Sequence, residues 1–263
     1  MNGPGLSKGA PIMANAAAVS SGRGQIHSTA REGLLLRLRD SLRVSSAAMS
    51  RALIVLAGES FLDDDVRAFA EADVRLIAAD GGAKTLLSVG IQPQVVIGDF
   101  DSLSDSTRAA LTTQEVIHDP DQDATDFEKA LGHAVRNLGA QRVVVLGAEG
   151  DEPDHLLAAL SAALARSEHA DIRFVLRRSI VHVVRGPVKR TFATFNGARV
   201  SLIPLVPTDV RQTDGLEWDI DGTHLSLGGL ISISNRAIAP EFSLSLGVGA
   251  LAVFVERGDE PPW

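Results

Sequence analysis

Cysteine is absent from all 263 residues, which excludes disulfides, thiolate nucleophiles, zinc–thiolate sites and iron–sulfur clusters. A chain without thiols suits a reducing compartment, so a cytoplasmic location is expected. Tyrosine is also absent and aromatics make up only 4%, which removes rows of stacking rings as a way of holding nucleic acid. No uninterrupted run of about eighteen apolar residues occurs, so no transmembrane helix and no membrane partner are expected. Basic charge is scarce where it would matter. Residues 1–48 hold six Lys/Arg against Glu32 and Asp40, so the net −8 of the whole chain becomes −12 over residues 49–263. A body that acidic argues against a polyanion spread over its surface, but not against one phosphorylated ligand held through a metal.

The length and the 45% hydrophobic content suit a soluble chain with a real core. Residues 1–48 are rich in Gly, Ala and Ser, with Leu34, Leu35, Leu38 and Leu42 at helical spacing among arginines. Three readings stay open for this extension: a disordered tail, a targeting peptide, or an upstream start ahead of Met49. From Arg51, apolar runs alternate with helical patterns. Strands are predicted at 52–57, 74–79, 95–97, 115–118, 143–146 and 173–176. Helices are predicted at 63–70, 83–89, 105–111, 124–138 (capped by Asp123) and 154–166. That alternation predicts a mostly parallel sheet covered on both faces, with ligands beyond the carboxyl ends of its strands. After about residue 178 short β-rich runs replace it, at 180–184, 189–192, 199–204, 223–227, 230–234, 242–246 and 250–256. They predict an antiparallel sandwich or barrel. The expected organisation is an extension (1–48), a Rossmann-like α/β domain for nucleotide and metal (49–178) and a β-sandwich domain (179–263).

The chemistry concentrates between Val95 and Lys129. Val95-Val96-Ile97 reads as a buried strand that Gly98 releases into Asp99-Phe100-Asp101, and acid returns as Asp119, Asp121, Asp123, Asp126 and Glu128. Like charges packed together repel and raise one another's pKa. A hard cation such as Mg²⁺ removes that cost, using carboxylates and substrate phosphates as ligands. Asp119 to Ala130 is not a calcium loop, because its sixth and twelfth positions are Ala124 and Ala130. Asp80-Gly81-Gly82-Ala83-Lys84 is not a P-loop, because Ala83 precedes the Lys. Its two glycines provide either bare amides for a ligand or merely a tight turn. No H-E-x-x-H or G-x-S-x-G pattern exists.

Three blocks resemble the signatures of the thiamine pyrophosphokinase family: A-A-D-G-G-A-K at Ala78–Lys84, I-G-D-F-D-S at Ile97–Ser102 and D-Q-D-A-T-D-F-E-K-A at Asp121–Ala130. Gly215-Leu216-Glu217-Trp218 and Ser232-Ile233-Ser234-Asn235 extend the likeness over about residues 51–257. The resemblance implies transfer of pyrophosphate from Mg²⁺-ATP to thiamine by a homodimer. By it, Asp99, Asp101 and Asp126 hold Mg²⁺ and serve catalysis. Gln122 and Thr125 contact ATP, with Asp80, Gly81, Lys129 and Asp154 in the same nucleotide-facing set. Trp218, Ser232 and Asn235 belong to the thiamine end. The chain departs from the family's G-G-R-x-D-H block, reading Gly150-Asp151-Glu152-Pro153-Asp154-His155, so that Glu152 stands where an arginine is expected to face phosphate. Two other readings stay open: a pyrophosphokinase for another hydroxymethyl heterocycle such as a pterin, and a non-catalytic nucleotide or thiamine diphosphate binding protein.

Overall fold

The computed structural model describes residues 49–58, 63–71, 73–101, 103–112, 115–150 and 152–258. The N-terminal extension expected at 1–48 lies outside them. The first part of the described chain is β1 (Arg51–Val55), α1 (Asp63–Phe69), β2 (Val74–Ala79), α2 (Gly82–Ser88), β3 (Val95–Gly98), α3 (Asp105–Ala110), β4 (Glu115–His118), α4 (Asp126–Gly132), β5 (Arg142–Leu146), α5 (Pro153–Arg166) and β6 (Asp171–Val175). These six strands are parallel and lie side by side in the order β4-β3-β2-β1-β5-β6. The apolar runs 52–55 and 143–146 are buried on both sides, as strands covered by helices on both faces must be. Val66, Phe69, Ala83 and Leu86 of α1 and α2 pack on one face. Phe127 and Leu131 of α4, with Ala159, Leu160 and Ala163 of α5, pack on the other.

The helix expected at 124–138 differs from its prediction in two ways. Its cap is Thr125, not Asp123. The Thr125 hydroxyl accepts the Glu128 N–H at 3.2 Å while the Glu128 carboxylate accepts the Thr125 N–H at 2.8 Å. This reciprocal T-x-x-E box satisfies two end donors at once and outcompetes a lone aspartate upstream. Asp123 instead donates its own N–H to Asp121. At its far end α4 runs into a π-helical turn, His133–Asn137.

The second part is β7 (Ser179–Arg185), β8 (Val188–Ala193), β9 (Arg199–Val206), β10 (Thr208–Asp214), β11 (His224–Leu225), β12 (Ser232–Arg236), β13 (Glu241–Leu246) and β14 (Ala250–Glu256). β7 pairs antiparallel with β6, and the sheet continues through β14, β9 and β12 to ten strands. The change of strand direction falls where the sequence grammar changes, and the sheet does not break there. A four-stranded antiparallel sheet, β11-β10-β13-β8, faces this half around Val200, Leu202, Phe242, Leu244 and Val253. The sequence pattern does not predict β10. Its segment TDVRQTD carries one aliphatic residue, and a bulge between Val210 and Gln212 breaks the period of two on which strand recognition depends.

His182 on β7 meets Phe192 of β8 edge-on, with ring centroids 5.1 Å apart. Burial, reinforced by the charges of Arg190 and Arg173 and opposed by Asp171, pulls its pKa down to about 3. The folded protein therefore keeps this ring neutral, while the unfolded chain binds a proton near pH 6.5. Below that pH the unfolded state holds the extra proton, so stability falls as pH falls towards 3. Between pH 6.5 and 5 this amounts to about 2 kcal/mol. Urea unfolding at pH 7 and pH 5 is expected to show a smaller acid loss in His182→Phe than in wild type. Equal losses would contradict the assignment.

Candidate active site

β2 and β3 are adjacent and parallel, with Ala79 opposite Ile97, so the residues just past their ends, Asp80 and Asp99, come side by side. Asp80 continues the ladder by donating its N–H to the Ile97 carbonyl at 2.9 Å. Asp126, in the first turn of α4, approaches from the flank. Among the described residues, Asp80, Asp99 and Asp126 each offer a carboxylate oxygen within 4.8 Å of the others. Gly98 makes the approach possible. A Cβ there would lie 2.8 Å from the Asp80 Cβ and 3.1 Å from Asp126 Oδ1. Gly98→Ala is expected to spread the three carboxylates and weaken binding of a divalent cation, probed with Mn²⁺, at least about tenfold, the scale of a disturbed ligand set. Unchanged Mn²⁺ affinity would contradict this.

The electrostatics of the three groups differ. The Asp101 N–H and the Gln122 amide donate to Asp99, each at 3.1 Å. With the charges of Lys129 and His118 they hold the Asp99 carboxyl below its ordinary pKa. Burial pushes Asp126 up, and the Asp80 and Asp99 charges add to that, against a hydrogen bond from Lys129. Lys129 is itself buried and reaches the Asp119 carbonyl at 2.9 Å and Asp126 Oδ1 at 3.3 Å. Three carboxylates and one ammonium leave two negative charges on converging hard oxygens. That donor set fits a divalent Mg²⁺.

The other expected residues are distributed around this core. Asp101 is exposed and stands outside the three-carboxylate group. Asp119 and Asp121 accept the N–H groups of residues 121 and 123 at 3.2 and 2.9 Å, so part of the acidic run builds turns that bring Gln122 to Asp99. Gly81 sits at the N-cap of α2. The neighbouring Gly82 is a packing glycine, because a Cβ there would fall 2.0 Å from the Val55 carbonyl oxygen. The Thr125 hydroxyl is engaged in the helix cap. Asp154 is exposed in the first turn of α5, and Glu152, just before it, pairs with His155 at 3.1 Å. In the second half, Trp218 is half exposed and carries Arg236 over its ring at 5.7 Å. Buried Asn235 holds the Trp218 backbone from below, accepting its N–H at 3.2 Å and donating to its carbonyl at 2.7 Å. Ser232 is partly buried on β12, beside a bulge in its pairing with β9. The close partnership of Asp80 with Asp99 was readable in principle: each acid ends one of two successive buried strands.

The thiamin pyrophosphokinase catalytic-domain model matches residues 66–176, and the family's vitamin B1 binding-domain model matches residues 187–249. The chain belongs to the thiamin pyrophosphokinase family. Thiamine pyrophosphokinase 1 of Oryza sativa subsp. japonica is 29% identical over 188 residues, covering 60% of this chain and 70% of that protein. Thiamine pyrophosphokinase of Bacillus subtilis is 25% identical over 205 residues, covering 75% of this chain and 94% of that one. The crystal structure of thiamin pyrophosphokinase from Geobacillus thermodenitrificans shares 27% identity, covers 80% of this chain and 99% of its own, and superposes with a TM-score of 0.69. The carboxylate group lies wholly within the segment that matches the thiamin pyrophosphokinase catalytic domain, and Trp218, Ser232 and Asn235 lie within the vitamin B1 binding segment. No described helix is long and apolar enough to cross a membrane.

Proposed function

We propose that this chain transfers a pyrophosphoryl group from Mg²⁺-ATP to the primary hydroxyl of thiamine, giving thiamine diphosphate and AMP. The observation that carries the reading is the convergence of Asp80, Asp99 and Asp126 within 4.8 Å in a catalytic domain of this family. When bound there, Mg²⁺ neutralises and orients the phosphate chain. Asp99, kept ionised by its donors, would hold the metal. Asp126, held by Lys129 at 3.3 Å, would complete the set with Asp80, and either Asp126 or Asp99 is placed to accept the hydroxyl proton late in the reaction. Gln122 fixes Asp99, and Lys129 limits the repulsion among the acids. The division of labour follows the chain: residues 49–178 for nucleotide and metal, 179–263 for thiamine, with Trp218 as its aromatic surface.

The matches to both halves of the family lend no support to a pterin-like acceptor or to a non-catalytic binder. The direct test incubates the protein with Mg²⁺-ATP and either thiamine or a pterin alcohol. AMP and thiamine diphosphate with thiamine alone support the proposal, and AMP only with the pterin, or with neither, would overturn it. We further propose a homodimer, supported by the exposed apolar side chains of Leu227, Leu230, Ile231 and Ile233, which a second copy would cover. A monomer mass by sedimentation at micromolar concentration would exclude it.

Glu152 departs from the expected arginine, and its pairing with His155 is solvent-exposed and weak. If this position faces the triphosphate, Glu152→Arg replaces repulsion by attraction. The KM for ATP is then expected to fall about three- to tenfold with kcat little changed, the scale of exposed charge pairs. An unchanged KM would place the phosphates elsewhere.

A further inference from the structure

Phe100 stands between Asp99 and Asp101 with φ +66°, a left-handed backbone that side chains other than Gly, Asn and Asp seldom adopt. Asp80 shares this region at φ +39°, but an aspartate tolerates it and a phenylalanine does not. Something must therefore hold residue 100 there. Its ring is buried, 8% exposed, in the core cluster that includes Val96, Ala83 and Leu86. The His118 ring lies against it at 5.5 Å between centroids and the Arg108 guanidinium caps it at 5.5 Å. The consequence is geometric. With residue 100 left-handed, the chain reverses tightly enough for the Asp101 N–H to reach Asp99 Oδ1 at 3.1 Å, which leaves Asp99 turned towards Asp80 and Asp126.

We propose that Phe100 is a positioning residue for the carboxylate group, acting through Asp99: packing of its ring, with Arg108 and His118 around it, stabilises the strained turn that aims Asp99 at the metal. This rests on the Mg²⁺ reading of the site. A residue that served the core alone would matter only through lost packing, so Phe100→Gly, which removes most, would be worse than Phe100→Ala. A residue that holds a left-handed turn gives the opposite order. Glycine adopts φ +66° without strain, whereas alanine keeps the strain and loses the ring that offset it.

The test is Mn²⁺ binding followed by electron paramagnetic resonance in the presence of ATP, at a temperature where circular dichroism shows each variant folded. Phe100→Leu is expected to bind within about threefold of wild type, Phe100→Gly weaker, and Phe100→Ala weakest, at least tenfold below wild type. Alanine binding as well as or better than glycine, or all variants matching wild type, would overturn the proposal. Should the Phe100 variants not fold, exposed Arg108 provides the second probe. Arg108→Ala is expected to weaken Mn²⁺ severalfold, and unaltered affinity would overturn the proposal. Wild-type protein whose Mn²⁺ signal does not depend on Asp99, checked with Asp99→Asn, would instead defeat the metal reading itself.

Discussion

Replacing Asp126 by Asn is expected to lower the rate of AMP formation by on the order of 10³-fold, the several kcal/mol that a lost metal-ligand charge represents. The substitution keeps the shape of the side chain and its place in the first turn of α4, but it removes one of three converging charges. Stability should move the other way. A half-buried acid crowded by Asp80 and Asp99 costs the folded state, so the Asn variant should melt no lower than wild type in the absence of Mg²⁺. Wild-type activity in this variant would exclude Asp126 from the reaction. A large loss of both activity and melting temperature would mean that the group is structural.

The second large effect concerns stability and lies far from the site. Arg257, just past β14, grips Asp65 on α1 with both guanidinium nitrogens, at 2.5 and 3.0 Å, across 192 residues of sequence. It also donates to the Leu176 carbonyl at 3.3 Å, while its own N–H reaches the Arg178 carbonyl at 3.1 Å. One residue thus joins the first helix, the end of β6 and the last strand. Arg257→Ala strips the guanidinium from a buried carboxylate, and breaking one side of such a pair costs about 3 kcal/mol. For a domain of this size that corresponds to a fall in melting temperature of about 6–12 °C. Arg257→Lys keeps the charge but not the two-pronged geometry and should recover only part of the loss. A melting temperature within about 1 °C of wild type in Arg257→Ala would show that this contact does not tie α1 to the end of β14.

Much of this architecture was legible in the sequence because its signals are local. The apolar runs of β1, β2, β3 and β5, each ended by a Gly or an Asp, give the parallel sheet, and the carboxyl ends of those strands mark the site. Asp99 and Asp126 stood out because acids cluster there without structural need. What stayed hidden depends on pairing across distance or on competition between neighbours. The contact of Asp80 with Asp99 follows from the register of β2 and β3. The capping of α4 by Thr125 required weighing a reciprocal box against a run of aspartates. β10 escaped because its bulge spoils the alternation. The ion pair of Asp65 and Arg257 has no local signature at all.

In the proposed reaction both terminal phosphates of ATP move together to thiamine at the Asp80–Asp99–Asp126 group. ATP labelled separately at its β- and γ-phosphates distinguishes this from ordinary kinase chemistry. Both labels are expected in thiamine diphosphate in equal amount, with AMP as the other product, and transfer of both is expected to slow on the order of 10³-fold in Asp126→Asn. Transfer of the γ-label alone with release of ADP, or undiminished transfer of both labels in Asp126→Asn, would contradict the proposal.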